Sequence, residues 1–194
     1  MVAAVVLAAG SSRRMGQPKM LLKWGDTTVI AAIVQKVVAA QIQPICVVVG
    51  AGRMAIAEVL YEQPVQLVFN SRFQEDSMVL SLQAGLACLP DDIQAALVVL
   101  GDQPQLPVKV IQLLINVYNR SGSALIVPSY QRHRGHPWLI DRSLWGVVRN
   151  LAPSDTLRSF LNSNAEKIHY IATDLEAVIQ DLDTSDDYAR YRPE

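Results

Sequence analysis

Residues 2–19 read VAAVVLAAGSSRRMGQPK, and this stretch decides the fold. Six apolar residues, Val2–Leu7, give way without a polar interruption to small residues, two arginines and a lysine. An unbroken apolar run without polar alternation predicts a strand covered on both faces, as in a parallel sheet. The small residues behind it let backbone N–H groups approach an anion, while Arg14 and Lys19 supply positive charge. Such a loop behind a buried first strand lies where ligands bind in open α/β sheets.

Working outward, short apolar runs recur at Ile45–Val49, Gln66–Phe69, Ala96–Leu100 and Ala124–Val127, bounded mostly by turn residues. Stretches of helical length separate them: Thr28–Ala40, Arg53–Leu60, Ser77–Leu89 and Val108–Asn119. Strand–helix–strand repetition implies right-handed crossovers and an α/β fold built on a mostly parallel, doubly wound sheet. In the last third, Pro137–Ile140 and Lys167–Ile171 read as strands. Arg142–Asn150 and Ser154–Leu161 read as helical, and Thr184 caps a terminal helix to Arg192. No repeat or linker interrupts residues 1–194, which read as a single domain.

Composition narrows the function classes. Among 194 residues, 17 Lys and Arg face 18 Asp and Glu, 51% are hydrophobic and 18% charged. That excludes disorder and a generally basic, nucleic-acid-coating surface. The early apolar run Met1–Ala9 is far short of the ~20 residues that span a bilayer and has no basic segment before it, so neither a membrane span nor a secretory signal is expected. Cys46 and Cys88 sit in apolar stretches without metal-like spacing and read as buried free thiols of a cytoplasmic protein.

Three glycine-bearing loops compete for the chemistry. The first, Leu7–Lys19, suits a polyphosphate but is not a Walker A loop: five residues separate Gly10 from Gly16, and neither Gly16 nor a Ser or Thr adjoins Lys19. The second, Gly50–Ala55, satisfies G-x-G-x-x-A after a strand. No acidic residue ends the next strand, which runs into Asn70, so a tight strand-to-helix turn explains it better than a dinucleotide site. In the third, Gly101-Asp102-Gln103-Pro104, Asp102 follows a wholly apolar strand. A carboxylate there suits Mg²⁺ held against phosphate oxygens, with helix capping as the plainer reading.

Together, LAAGSSRRMGQPK with the leucines that follow (Leu7–Leu22), GDQP (101–104), RGHP (134–137) and DLDTSDDY (181–188) resemble the MobA-like nucleotidyltransferases, nearest the molybdenum cofactor cytidylyltransferase branch. The resemblance implies a three-layer Rossmann-like fold and Mg²⁺-dependent transfer of a nucleotidyl group from an NTP to a phosphorylated acceptor, releasing pyrophosphate. The acceptor implied is molybdopterin, with a molybdoenzyme as downstream client; LAAG rather than LAGG points to CTP. The alternatives within reach are a sugar or polyol phosphate acceptor, a non-catalytic cofactor chaperone and, third, a dinucleotide-dependent oxidoreductase.

Carried onto this chain, the resemblance assigns Leu7, Ala8, Ala9, Gly10 and Ser11 to the nucleotide. Arg14 goes to the β/γ-phosphates, Lys19 to the α-phosphate, and Asp102 to Mg²⁺ with Asp183 preferred over Asp181 as second ligand. Exposed acids preceding a helix are the competing reading for that last pair. Asn70 and Ser81 are candidates for base and ribose; Arg134, Gly135 and His136 for the anionic acceptor. Two departures stand out: Ser77-Met78-Val79-Leu80-Ser81-Leu82 lacks the family's leading glycine and one serine, and Ser185 replaces a usual proline.

Overall fold

The structure, a computed structural model, describes residues 1–12 and 15–193. Strand β1 (Val2–Ala8) lies at the centre of an eight-stranded sheet, with β4 (Ile45–Val49) and the edge strand β5 (Gln66–Phe69) on one side. On its other side follow β6 (Ala95–Leu100), β9 (Trp138–Asp141), β7 (Leu125–Tyr130) and β10 (Ile168–Ala172), while the short β8 (His133–Arg134) pairs with β7. Pairing is parallel throughout β5–β4–β1–β6 and between β7 and β10. Strand β9 is antiparallel to both β6 and β7. The sheet is therefore mostly parallel, as expected, with one reversed strand wedged into it. A small hairpin, β2 (Lys23–Trp24) with β3 (Thr27–Thr28), stands apart.

The period of two along β1 makes the layers. Ala4, Val6 and Ala8 pack into one apolar cluster; Ala3, Val5 and Leu7 pack into the other. Helices α1 (Val29–Ala39) and α4 (Val108–Ser121) close the first cluster with Ile30, Ile33, Val37, Ile111 and Leu114. Helix α2 (Arg53–Val59) adds Ile56. Helices α3 (Met78–Ala87), α5 (Trp145–Arg149) and α6 (Leu157–Ser163) close the second with Leu82, Leu86, Trp145 and Phe160. A sheet flanked by helices on both faces is the three-layer arrangement the alternating pattern demands. The sulfurs of Cys46 and Cys88 meet in the second layer, their Cα atoms 7.4 Å apart. Separate thiols were expected, and packing makes them neighbours.

Local chemistry sets the element ends. Thr28 caps α1 by accepting from Ala31 N, and Gly122 ends α4 in the left-handed conformation, at φ 61°. Helix α7 (Ser185–Tyr191) starts at a capping box in which Thr184 and Asp187 satisfy each other's backbone N–H groups. One expectation needs amendment. The edge strands are not covered on both faces: Gln66, Phe69, His169 and Tyr170 are exposed. Among the described residues no helix is long and apolar enough to cross a membrane.

Candidate active site

The carboxyl ends of β1 and β6 open onto a cleft of about 480 Å³, walled by the loop after β1, by Asp102, by residues 76–78 and by Asp181 and Asp183. Gly101 N donates to Leu7 O, so the loop after β6 continues the β1 pairing by one residue and sets Asp102 beside the first loop. That first loop turns through Ser12, at φ 52°, whose carbonyl accepts from Met15 N and whose hydroxyl accepts from Lys19 N. Gly10 has open space where a Cβ would stand, so none of the described residues crowds that point of the loop. Arg14 lies outside the described residues.

Lys19 is 9% exposed, an unusual burial for a lysine and one that requires a partner. It has two. Its Nζ donates to Asp102 Oδ2 and lies 3.6 Å from Asp183 Oδ1. Burial works against the ammonium, but Asp102 by charge and hydrogen bond, then Asp183 and Asp181, outweigh it and raise the Lys19 pKa. Asp181 is turned inward: Gln103 Nε2 donates to its Oδ1 at 2.6 Å. Burial first and the Asp102 charge second push its pKa up to about 6, against the Gln103 hydrogen bond.

The four groups are held by a strap, residues 176–183, laid across the loop after β6. Leu182 N donates to Asp102 O, Gln105 Nε2 to Gln180 O, and Gln103 Nε2 reaches Val178 O as well as Asp181. On the far side Lys36 Nζ of α1 donates to Pro104 O. These contacts fix Asp102 by backbone and side chain, so its carboxylate is presented rather than loosely displayed.

Among the described residues no three His, Cys, Asp or Glu side chains gather closely enough to form a protein-only metal cage. Mg²⁺ does not require one, since it commonly takes one or two carboxylates and fills its remaining positions with phosphate and water oxygens. Asp102 and Asp183 both approach the Lys19 ammonium, and two such carboxylates are a donor set of the kind Mg²⁺ takes.

Asn70 and Ser81 are buried. Asn70 Nδ2 donates to Ser81 Oγ at 3.1 Å, and its Oδ1 accepts from Arg72 N. Ser81 reaches the cleft wall, whereas Asn70 stands behind it and anchors the turn after β5. Gly50 is a packing glycine: an added Cβ would lie 2.6 Å from Ala9 O and 2.9 Å from Phe73 Cβ. The Gly50–Ala55 loop is thus the tight turn the sequence suggested, pressed against the first loop.

A second cavity of about 910 Å³ opens beside the first and shares Asp76, Ser77 and Met78 with it. Arg134 lies on its wall, held by two neutral oxygens: its Nε donates to Tyr170 Oη at 2.8 Å and its Nη1 to Asn162 Oδ1 at 2.6 Å. Arg132, His133 and Arg158 add basic groups. Gly135 contributes space and not a contact surface, because a Cβ there would meet Val178 O at 2.5 Å. His136 stacks on Trp138 with centroids 4.4 Å apart, and its Nε2 is buried without a partner among the described residues. Burial lowers its pKa to about 3, so the ring is held uncharged. The wall formed by α6 and the inward turn of Asp181 were not foreseen. Arg158 and Asn162, four apart on one helical face, carried the only available signal.

A family model described as the MobA-like NTP transferase domain matches residues 4–168. The chain belongs to that family. This MobA-like transferase is similar to Rv0371c of Mycobacterium tuberculosis H37Rv, at 28% identity over 97% of this chain and 96% of that one, with a TM-score of 0.86. A structure of Rv0371c in complex with manganese matches at 27% identity over the same shares, with a TM-score of 0.81. The bifunctional protein GlmU of Syntrophomonas wolfei is 29% identical over 130 residues, 66% of this chain, and the chain spans 28% of that relative's length. The molybdopterin-guanine dinucleotide biosynthesis protein A of Archaeoglobus fulgidus shares the fold, with a TM-score of 0.74 at 14% identity over 98% and 96% of the two chains. Family membership places the chain in the nucleotidyltransferase superfamily.

Proposed function

We propose that this single-domain, cytoplasmic MobA-like transferase moves a nucleotidyl group, CMP from CTP, onto the terminal phosphate of molybdopterin, with Mg²⁺ as its cofactor. The observation that carries this reading is the placement of Lys19, Asp102 and Asp183 in one cleft, with an Arg134-walled cavity next door across Asp76–Met78. The motif resemblance nearest the cytidylyltransferase branch supports CTP and the pterin acceptor.

In this reading the acceptor's phosphate oxygen forms a bond to the α-phosphorus of CTP as the bond to the bridging oxygen breaks, and pyrophosphate leaves with the electron pair. A phosphomonoester has a second pKa of about 6 and is already largely ionised at neutral pH, so no general base is needed. The chain's task is positioning and charge neutralisation. Backbone groups of Leu7–Ser11 line the nucleotide, Arg14 pairs with the leaving phosphates, and Ser81 lies where ribose or base would pass. Lys19 neutralises charge growing at the α-phosphate. Arg134 orients the acceptor's phosphate, with Gly135 and His136 completing that turn. Asp102 and Asp183 would hold Mg²⁺, which would supply Lewis-acid polarisation of phosphate oxygens.

The test is to incubate the purified protein with each NTP, Mg²⁺ and molybdopterin and to identify products by mass. A cytidylylated pterin is expected. Activity only with a sugar or polyol phosphate would replace the acceptor. Tight pterin binding without pyrophosphate release would leave a cofactor chaperone for a molybdoenzyme client.

A further inference from the structure

The Lys19 ammonium lies between the two carboxylates that the proposed reaction gives to the metal. It touches Asp102 Oδ2 and stands 3.6 Å from Asp183 Oδ1. Both carboxylates come from separate loops, yet one side chain meets both. An ammonium is a compact charge on a flexible four-carbon stem, able to neutralise acids in one pose and to swing away in another. A divalent ion entering between these carboxylates would meet that charge at contact distance, where like charges repel strongly. Among the described residues no larger acidic set offers a way round it.

We infer that Lys19 is an internal counter-ion that occupies the metal position of the nucleotide-free protein, so that metal and nucleotide must arrive together to displace it. The inference rests on the proposed Mg²⁺-dependent transfer and adds an order of events to it. The incoming phosphates draw Lys19 off the carboxylates, and the carboxylates so released take the divalent ion. Lys19 then stands at the phosphate, where the reaction needs it. Free metal has nothing to offer the displaced ammonium and binds weakly. By linkage, whatever factor the nucleotide adds to metal affinity, the metal returns to nucleotide affinity.

The experiment measures Mn²⁺ binding by electron paramagnetic resonance in the nucleotide-free full chain, comparing wild type with Lys19→Met and Lys19→Arg. Removing one positive charge at contact distance should raise Mn²⁺ affinity by about tenfold or more in Lys19→Met, while Lys19→Arg stays near wild type. Equal affinity in wild type and Lys19→Met overturns the inference. A second measurement needs no variant. Amine acylation of Lys19 in nucleotide-free wild type, read by peptide mass, should run at the same rate with and without millimolar Mn²⁺, because the metal alone does not displace the side chain, and a severalfold faster rate with Mn²⁺ overturns the inference equally. A failure of every NTP to bind with Mn²⁺ would instead defeat the proposed function, whatever the nucleotide-free comparison gives.

Discussion

The two cavities hold their cations differently. Lys19 in the nucleotide cleft is clasped by carboxylates, whereas Arg134 in the neighbouring cavity is steadied by a phenol and an amide oxygen. A cation clasped by anions is neutralised until a ligand competes for it. A cation braced by neutral oxygens keeps its full charge available and merely loses freedom. On the proposed reading, the Lys19 cleft exchanges one ionic arrangement for another, and the Arg134 cavity receives an anion directly.

The largest break in this contrast comes from Asp102→Ala. Transfer should fall by about a thousandfold or more, because the metal anchor and the partner of Lys19 vanish together. Near-normal turnover at saturating Mg²⁺ would remove Asp102 from its role. Arg134→Ala should raise the acceptor KM by about 10–100-fold, the scale of a lost charge-assisted hydrogen bond, and leave the nucleotide KM unchanged. A matching rise for nucleotide would merge the two cavities into one functional site.

How these two regions read from the chain differs for the same physical reason. Much of the Lys19 cleft's wall is one contiguous loop behind a buried strand, so Gly10, Ser11 and Lys19 announce themselves together. Asp102 does so by ending an apolar run. The wall of the Arg134 cavity is assembled from residues near 77, 134 and 158, of which the RGHP turn alone stands out as a contiguous motif. The strands were legible from their apolar runs, but the reversal of β9 was not, since a covered strand looks alike in either direction. The inward turn of Asp181 was equally hidden. It depends on Gln103, 78 residues away, meeting it across the cleft.

Smaller effects sharpen the picture. Gly10→Ala should leave the melting temperature unchanged, given the open space around it, yet raise the nucleotide KM by about tenfold, the scale of one misplaced methyl group. A lowered melting temperature would mean that the glycine serves the fold.

A stability effect concerns His136. An unfolded imidazole takes up its proton near pH 6.5, while burial holds this one off until about pH 3. Between those values the unfolded chain binds the extra proton, so stability declines as pH falls, by at most about 1.4 kcal/mol per pH unit from this group. Denaturant titrations of His136→Asn across that range should show a shallower decline than wild type. Parallel curves would place the His136 ring in water.

Val178 ties the two regions together through a single carbonyl, which accepts from His136 N at 2.7 Å and is approached by Gln103 Nε2 at 3.5 Å. Anyone building a chimera with new acceptor preference would find that the RGHP segment does not travel alone. A grafted turn that lacks a small residue at 135 would lift the 176–183 segment, and with it Asp181 and Asp183. Preference for one cargo and grip on the divalent ion would then have to be redesigned as a unit.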